Sequence, residues 1–567
     1  MKVKFLYEIK NDDKIGNYQI IDLLLKNRKI QNVEDFLEPK NPSNISLLDF
    51  NPSFKNEFEK AFKILKAIKE KNQMVVVYTD YDADGITGGA ILWETLYYLG
   101  FKVMPYVPNR KKEGYGFSFI GIDKVIEQFN PALIISVDHG ITKVKEVEYA
   151  KKKGLKVIIT DHHLKTDTLP KADAIFYIPS LSGAGVSYFF SKEIFKNFQL
   201  TIENKKILSF LKNNFLNDYL VFASIGTVAD LVPLIGASRS IVKYGIESFL
   251  RCNRLGIRHV LKEAKIEGKK ITPYDIGFII APRINAVGRL KDATDALRLL
   301  CTKKEERAKN LASYLGQKNK QRQNLVEKAV EEAKKILAKE TKNFSTLPKI
   351  IILQSEKWEE GIIGLIAAKM TEEFYRPSLI LTKNDGFYKG SARSIPQFHI
   401  TNFLRSLKQY LVDVGGHSQA AGFTIEEKKI FQFKNEAQKL ASKILKDKDL
   451  EKEIIVDLKL PLSKINLKWV KLLEKLQPFG IGNPFPTFFS EGKIKNIKFL
   501  GKNNQHLKIF ITDNNENEVL ELLAFNQGEL FKNLFRNQKI NVIYSLEVDN
   551  WGGKEKVFGK MISFLGD

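Results

Sequence analysis

Three short stretches, VVVYTDYDADG (75–85), ALIISVDHGIT (132–142) and KVIITDHHLK (156–165), constrain this 567-residue chain more than any other feature. Each is an apolar, β-branched run that stops abruptly at an aspartate. The segments between them, such as GGAILWETLYYLG and VKEVEYAKKKG, have helical periodicity. Continuous apolar strands alternating with helices predict a parallel sheet covered on both faces. In such a sheet every strand's carboxyl end lies on one edge, where ligands bind. The fold class is therefore α/β.

The residues at that edge carry the chemistry. Asp80, Asp82 and Asp84 follow the first strand at alternate positions, Asp138 ends the second, and Asp161, His162 and His163 end the third. Asp230, in ASIGTVADLVPL, can complete the ring. Three carboxylates this close repel one another unless a cation neutralises them, and hard oxygen ligands suit Mg²⁺ or Mn²⁺. One aspartate at a strand end would serve as a cap or turn residue. Three successive junctions ending in such ligands predict a metal centre. Asp161, beside two histidines, suits orienting one of them from behind, and His139 needs only to be a turn residue. Four carboxylates with one or two histidines suit two cations, which together activate a water and clamp both oxygens of a phosphoryl displacement. No GxSxG elbow stands beside these histidines, and no GxxxxGK[ST] loop is present, so serine hydrolysis and ATP-driven work have no support.

Elsewhere the chain changes character in blocks. The first 55 residues read as a helical cap. Residues 303–340 are rich in Lys, Glu, Ala and Gln, contain no Pro, and predict one long helix connecting two lobes. KIIILQ, GIIGLIAAKMTEEF and PSLILT then predict a second α/β lobe. GSARS offers Arg393 between Ser391 and Ser394, a fork plus hydroxyls suited to phosphate oxygens. Gly415, Gly416 and His417 read as a flexible small-residue loop able to bring backbone N–H groups to a phosphate. Arg283, Asn285 and Arg289 make a similar polar set near the lobe junction. From 451 on, strand-like runs joined by Asn/Gly turns predict a small all-β barrel. Its Phe485, Phe488, Phe489, Lys495, Phe499, His506 and Trp551 suit either a core or single-strand stacking.

Charge and cysteine content bound the partners. The 90 Lys and Arg exceed the 66 Asp and Glu by 24, and residues 451–567 account for only +3 of that excess. The basic excess thus lies with the acid cluster and suits a polyanionic partner. Only Cys252 and Cys301 are present, in no CxxC pattern. A disulfide scaffold and a cysteine zinc site are excluded, and a reducing, cytoplasmic location is expected. No apolar run of membrane-spanning length occurs, and MKVKFLYEIKNDDK lacks a signal-peptide core.

At DYDADG, VDHG, DHH and AD the sequence resembles the DHH phosphoesterase superfamily. PNRKKEGYGFS, SGAGVSY, APRINAVGRL, GSARSIPQFHI and DVGGHSQAAGFTI resemble, in that order, its bacterial RecJ family, and LQPFGIGNPFPTF resembles the start of that family's OB-type domain. The resemblance implies a cap at 1–55, a DHH catalytic lobe at 56–300, a connecting helix at 301–345, a DHH-associated substrate-binding lobe at 346–448 and an OB-type nucleic-acid-binding domain at 451–567. It implies a nuclease that degrades single-stranded DNA from the 5′ end with two Mn²⁺ or Mg²⁺ ions, releasing mononucleotides in recombination and repair. The implied metal set is Asp80, Asp82, Asp84, Asp138, His162 and Asp230. Asp138 is the bridge and His163 lies near the scissile phosphate, so Asp82, Asp138 and His163 are the catalytic candidates. Arg110, and Tyr115 in the GYG that follows it, resemble the 5′-phosphate contact. One departure is Trp358-Glu359, where the family often has Trp-His. Single-strand-binding protein and a RecQ-type helicase are the implied partners, and a monomer is the default. The rival readings are a DHH phosphodiesterase for short oligonucleotides or cyclic dinucleotides, a pyrophosphatase, and a catalytically silent DNA-binding relative.

Overall fold

The structure, a computed structural model, describes residues 2–567 except 11, 291, 514–517, 530–532, 550–553 and 566–567. Trp551 therefore lies outside the described residues. The chain divides into a larger unit (Val3–Gly288, Asp292–Ser313 and Ile455–Asp567) and a smaller one (Met1–Lys2, Arg289–Lys291 and Tyr314–Ile454). Among the described residues, no helix is long and apolar enough to cross a membrane.

The larger unit is built on a five-stranded parallel sheet. Its order is Val103–Tyr106, Val75–Thr79, Leu133–Val137, Lys156–Asp161, Ala174–Tyr177. The three runs singled out in the sequence are its central strands. Val75–Thr79 and Leu133–Val137 are buried at every position. The two edge strands escape the sequence pattern because they are only four residues long, and one carries Pro105, which an edge strand tolerates. Helix Ala83–Tyr98 packs on helix Gly183–Phe198 at close range. A Cβ on Gly88 would lie 3.0 Å from the Ala184 Cα, so only glycine permits that approach.

The C-terminal part of this unit is a barrel. Strands Phe488–Leu500, His506–Thr512, Val519–Ala524, Lys556–Leu565 and Lys539–Asp549 follow one another, and the last pairs back onto the first. Val519–Ala524 reads VLELLA, a composition that favours helix. Its alternate residues Leu520, Leu522 and Ala524 fill the barrel instead, so tertiary burial overrides propensity. Ile20 and Leu24, on the helix Asn17–Asn27, share this core with Trp469, Phe488 and Tyr544. A fully buried Arg239 ties these parts together. It donates to the carbonyls of Phe36 (2.6 Å), Gln477 (2.7 Å), Pro478 (3.3 Å) and Lys475 (3.4 Å), and its guanidinium lies 3.9 Å from the Phe36 ring centre.

The helix Glu305–Glu340 has 36 residues, about 54 Å at 1.5 Å per residue, and the division between the units falls within it. The smaller unit contains a second five-stranded sheet, ordered Leu411–Gly416, Ala420–Glu426, Phe387–Arg393, Ser378–Asn384, Ile351–Gln354. Ile366 and Met370, on helix Ile363–Phe374, share one core with Ala333 and Leu337 of the long helix; Phe433 and Ala437, on Ile430–Ile444, share another with Phe423. Gly415 and Gly416, expected in a flexible loop, belong to a strand and pair with Gly422 and Ala421. A Cβ on Gly416 would sit 2.3 Å from the Ala420 carbonyl oxygen, so the missing side chain serves close strand pairing.

Candidate metal centre

Each acid at the sheet edge is fixed by its neighbours. The Asp80 N–H donates to the Val137 carbonyl (3.2 Å), and the Asp138 N–H to that of Thr160 (3.0 Å). Asp138 has φ +69°, a left-handed conformation rare for a non-glycine residue and held here by its surroundings. Asp82 caps the helix Ala83–Tyr98, its carboxylate accepting from the N–H groups of Asp84 (3.0 Å) and Gly85 (3.1 Å). Asp84 accepts from Gly183 N–H (2.6 Å) and Ala184 N–H (2.9 Å), at the N-terminus of Gly183–Phe198, where the helix dipole favours negative charge.

The predicted ligands converge. His162 Nε2 lies 3.0 Å from Asp138 Oδ1, 3.5 Å from Asp230 Oδ2 and 3.7 Å from Asp84 Oδ2. Three overlapping sets, Asp80/Asp82/Asp138, Asp84/His162/Asp230 and Asp138/His162/His163, each hold their donor atoms within 4.8 Å of one another. Asp138 is common to the first and third of these.

These acids carry a charge problem. Burial, and then Asp82, raise Asp80 well above the usual carboxylate range. Burial together with Asp84, Asp82 and Asp230 does the same to Asp138. Asp84 is raised to about 6 and Asp230 to about 8, again by burial first and neighbouring carboxylates next. Both oxygens of Asp80 are buried and make no hydrogen bond of ordinary geometry among the described residues. Orphaned carboxylate oxygens facing other carboxylates and one imidazole fit hard divalent cations, Mn²⁺ or Mg²⁺.

Asp161 lies beside His163. Its carboxylate accepts from the N–H groups of Ile141 (2.8 Å), His162 (2.7 Å) and His163 (3.1 Å) and lies 2.9 Å from His163 Nδ1. Burial alone would raise it, but the His163 contact holds it at about 2. For His163, burial works in the opposite direction to Asp161, and the carboxylate prevails, lifting the imidazole to about 9. The other ring nitrogen, Nε2, is 2.9 Å from the Tyr115 hydroxyl, which donates to the Asp138 carbonyl (2.9 Å). His139 is a core residue: its ring packs against Tyr78 and Phe117, and burial lowers it to about 3.

Glycines form the seat of this centre; Gly85 was legible as the turn into the helix, and the sequence reading missed Gly183 and Gly226. A Cβ on Gly183 would fall 2.4 Å from Asp138 Cβ, one on Gly226 2.3 Å from Asp84 Oδ1, and one on Gly85 2.7 Å from the Asp80 nitrogen. The backbone donors of Gly183 and Ala184 were also missed. Their signal is Ser182-Gly-Ala-Gly, a cap residue followed by small residues at a helix start.

The proposed substrate residues divide. The Arg110 guanidinium lies 5.2 Å from the Tyr81 ring centre and close enough to Asp80 to oppose its rise. Asn285 accepts the Ala83 N–H (2.7 Å), so it braces the Asp82 turn. Arg283, expected at phosphate, is held by Glu263 (2.5 Å) and the Ile279 carbonyl (2.6 Å). Arg289 packs in the smaller unit and donates to the Gly361 carbonyl (3.1 Å). In the same unit Arg393 lies 3.3 Å from Ser391 Oγ and donates to the Ala392 carbonyl (2.8 Å). Ser394, also expected at phosphate, is buried, and its hydroxyl donates to Phe398 O (2.6 Å). The His417 N–H donates to the Ala420 carbonyl (2.7 Å) in a tight turn. Trp358, before the departing Glu359, is buried and donates to Glu332 (3.1 Å).

Comparison with known proteins adds the family. Residues 74–212 match the DHH family N-terminal domain, 347–447 the DHHA1 domain and 456–560 the RecJ OB domain. The chain is 31% identical to the single-stranded-DNA-specific exonuclease RecJ of Haemophilus influenzae, over 97% of this chain and 96% of that protein. It is 32% identical to the Bacillus subtilis RecJ over 88% of its own length, spanning 62% of that longer relative. The crystal structure of Thermus thermophilus RecJ in complex with Mn²⁺ superimposes with a TM-score of 0.80 at 26% identity, covering all of this chain and 80% of that one. The same enzyme with Mg²⁺ gives 0.73 at 24% identity.

Proposed function

The chain belongs to the RecJ family of single-stranded-DNA-specific exonucleases, and from that premise we propose how its residues carry the reaction. It is a metal-dependent hydrolase of single-stranded DNA, working with Mn²⁺ or Mg²⁺. Hydrolysis proceeds from the 5′ end and releases mononucleotides, in recombination and repair.

The observation that carries this reading is the set of three donor groups joined through Asp138 and His162. Asp80, Asp82 and Asp138 would hold one cation, and Asp84, His162 and Asp230 the other, with Asp138 reaching both. Bound there, the cation pair supplies charge neutralisation and activation of a water for in-line attack on phosphorus. The chain's own residues do the rest. Gly183 and Ala184 hold Asp84, Asp161 fixes His163, and Tyr115 braces His163 against the Asp138 backbone. His163, held in place by Asp161, is suited to meet negative charge at the scissile phosphate. Arg110 is suited to a terminal phosphate, and Arg393 with Ser391, Gly415, Gly416 and His417 to phosphates of the strand. The C-terminal barrel favours a polymeric strand over a dinucleotide or pyrophosphate.

Single-strand-binding protein and a RecQ-type helicase are suited to deliver unpaired DNA to such an enzyme, which would act as a cytoplasmic monomer. A time course on 5′- and 3′-labelled oligonucleotides, single- and double-stranded, with Mn²⁺, Mg²⁺ or chelator, tests the reading. Early release of a 5′-labelled mononucleotide from single strands alone is expected. Early release of the 3′ label, or equal cutting of duplex, would overturn the polarity and substrate assignments.

A further inference from the structure

Tyr274 and Phe278 are 63% and 68% exposed, yet their rings stack with centres 4.8 Å apart and planes 23° from parallel. The metal centre uses neither residue. They sit on an unusual piece of backbone. Thr272 caps the turn Pro273–Asp275, and Ile276–Ile280 is a π-helical turn, a feature that recurs at functional sites. Ile276 and Ile280 are fully buried, so the turn is anchored while the two rings face solvent.

The anchor leads to the metal centre. A Cβ on Gly277 would lie 3.5 Å from Val228, in the helix Asp218–Ala229 that Asp230 terminates. The helix continues into Ala281–Leu290, where Asn285 holds the Ala83 N–H beside Asp82. Seven residues separate Phe278 from Asn285, about 10 Å along a helix. Exposed Lys265, Lys269 and Lys270 precede the pair in sequence, outnumber the exposed Glu267 among them, and complement a phosphate backbone.

We propose that Tyr274 and Phe278 form a stacking platform for unpaired bases of the strand that is cut at the metal centre. The proposal rests on the single-stranded-DNA exonuclease reading and deepens it. Every base has a π face, so stacking tolerates any sequence. In a duplex both faces of each base are covered by neighbouring pairs, so only an unpaired strand can use the platform.

The test compares the full-length wild type with Y274A/F278A, and with Y274F/F278W, all loaded with Mn²⁺. The readouts are KM and kcat on a single-stranded 20-mer, and quenching of a 2-aminopurine placed, in separate oligonucleotides, at successive positions from its 5′ end. The double alanine variant should raise KM at least tenfold, leave kcat within threefold, and lose the quenching. The aromatic-for-aromatic variant should behave as wild type. Unchanged KM and quenching would overturn the platform, as would an equal collapse of kcat, which would mark a role in bracing the metal centre. A change in oligomeric state with unchanged KM would assign the pair to a protein contact and overturn it too. A wild type that leaves single strands intact would instead refute the exonuclease reading.

Discussion

Replacing Gly183 with alanine adds one methyl group at the place where the metal centre is most tightly packed. Helical backbone accepts alanine readily, and the exchange gains up to about 1 kcal/mol of propensity. The new Cβ would, however, lie 2.4 Å from Asp138 Cβ, 2.5 Å from its Oδ1 and 2.6 Å from its Cγ. Ordinary contact begins near 3.4 Å, so Asp138 must retreat by about 1 Å. It has little freedom to do so. Its N–H is bonded to Thr160, its φ is +69°, and its carboxylate lies 3.0 Å from His162. Overpacking of this kind costs about 1–3 kcal/mol. Set against the helix gain, the fold loses at most about 3 kcal/mol. A 1 Å error at a reacting centre costs about 100-fold in rate, and here it falls on the ligand shared by two donor sets. Calorimetric Mn²⁺ titration should show affinity reduced at least tenfold. Turnover on single-stranded DNA at saturating Mn²⁺ should fall about 100-fold, and the melting temperature should move by only a few degrees. Gly185→Ala is the control two residues along, where the nearest atoms, of Ile241 and Leu181, are at 3.3 Å and can yield. It should keep turnover within twofold. Mn²⁺ affinity and turnover within threefold of wild type for G183A would refute the argument that glycine is required here.

Other perturbations test separate parts of the account. His162→Ala or Asp82→Ala should abolish hydrolysis and leave the circular dichroism spectrum unchanged; near-wild-type turnover by either variant in Mn²⁺ would contradict the ligand set. Asn285→Ala removes the acceptor of the Ala83 N–H and should weaken Mn²⁺ binding about tenfold, at a cost of about 1–3 kcal/mol for the stranded donor, measured by the same titration. Arg239→Met removes the side-chain donor to four backbone carbonyls, of which Pro478 keeps its bond from Asn483 (2.9 Å), and should destabilise the larger unit by at least about 3 kcal/mol, read as the midpoint shift in urea. EDTA should stop DNA hydrolysis, and Mn²⁺ or Mg²⁺ should restore it in a single-turnover assay.

The strands 75–79, 133–137 and 156–161 were legible because burial on both faces demands unbroken apolar runs, and each run ends where its ligands begin. The long helix was legible from composition alone. The strand Val519–Ala524 was not, because Leu, Glu and Ala favour helix and only the barrel's inward side explains their alternation. The Gly415–Gly416 stretch misled in the same way. Small residues mark either a loop or a close strand pair, and only the pairing with Gly422 and Ala421 decides between them. Ser394 and Arg283 illustrate a third limit. A polar side chain in a suggestive motif can be committed to Phe398 or Glu263, and no local pattern reveals the partner.

By itself, the sequence determined that acids and imidazoles stand at the ends of successive buried strands, because strand period and apolar run length are local properties. Only the tertiary structure decided which oxygens meet. Asp84 and Asp230 lie 146 positions apart in the chain (230 − 84), yet both reach His162. They do so because Gly183 lets its helix approach Asp138 at the sheet edge, and Gly226 lets its helix approach Asp84. Contact at that range is set by the shape of the packed interior, which no stretch of neighbouring residues encodes alone.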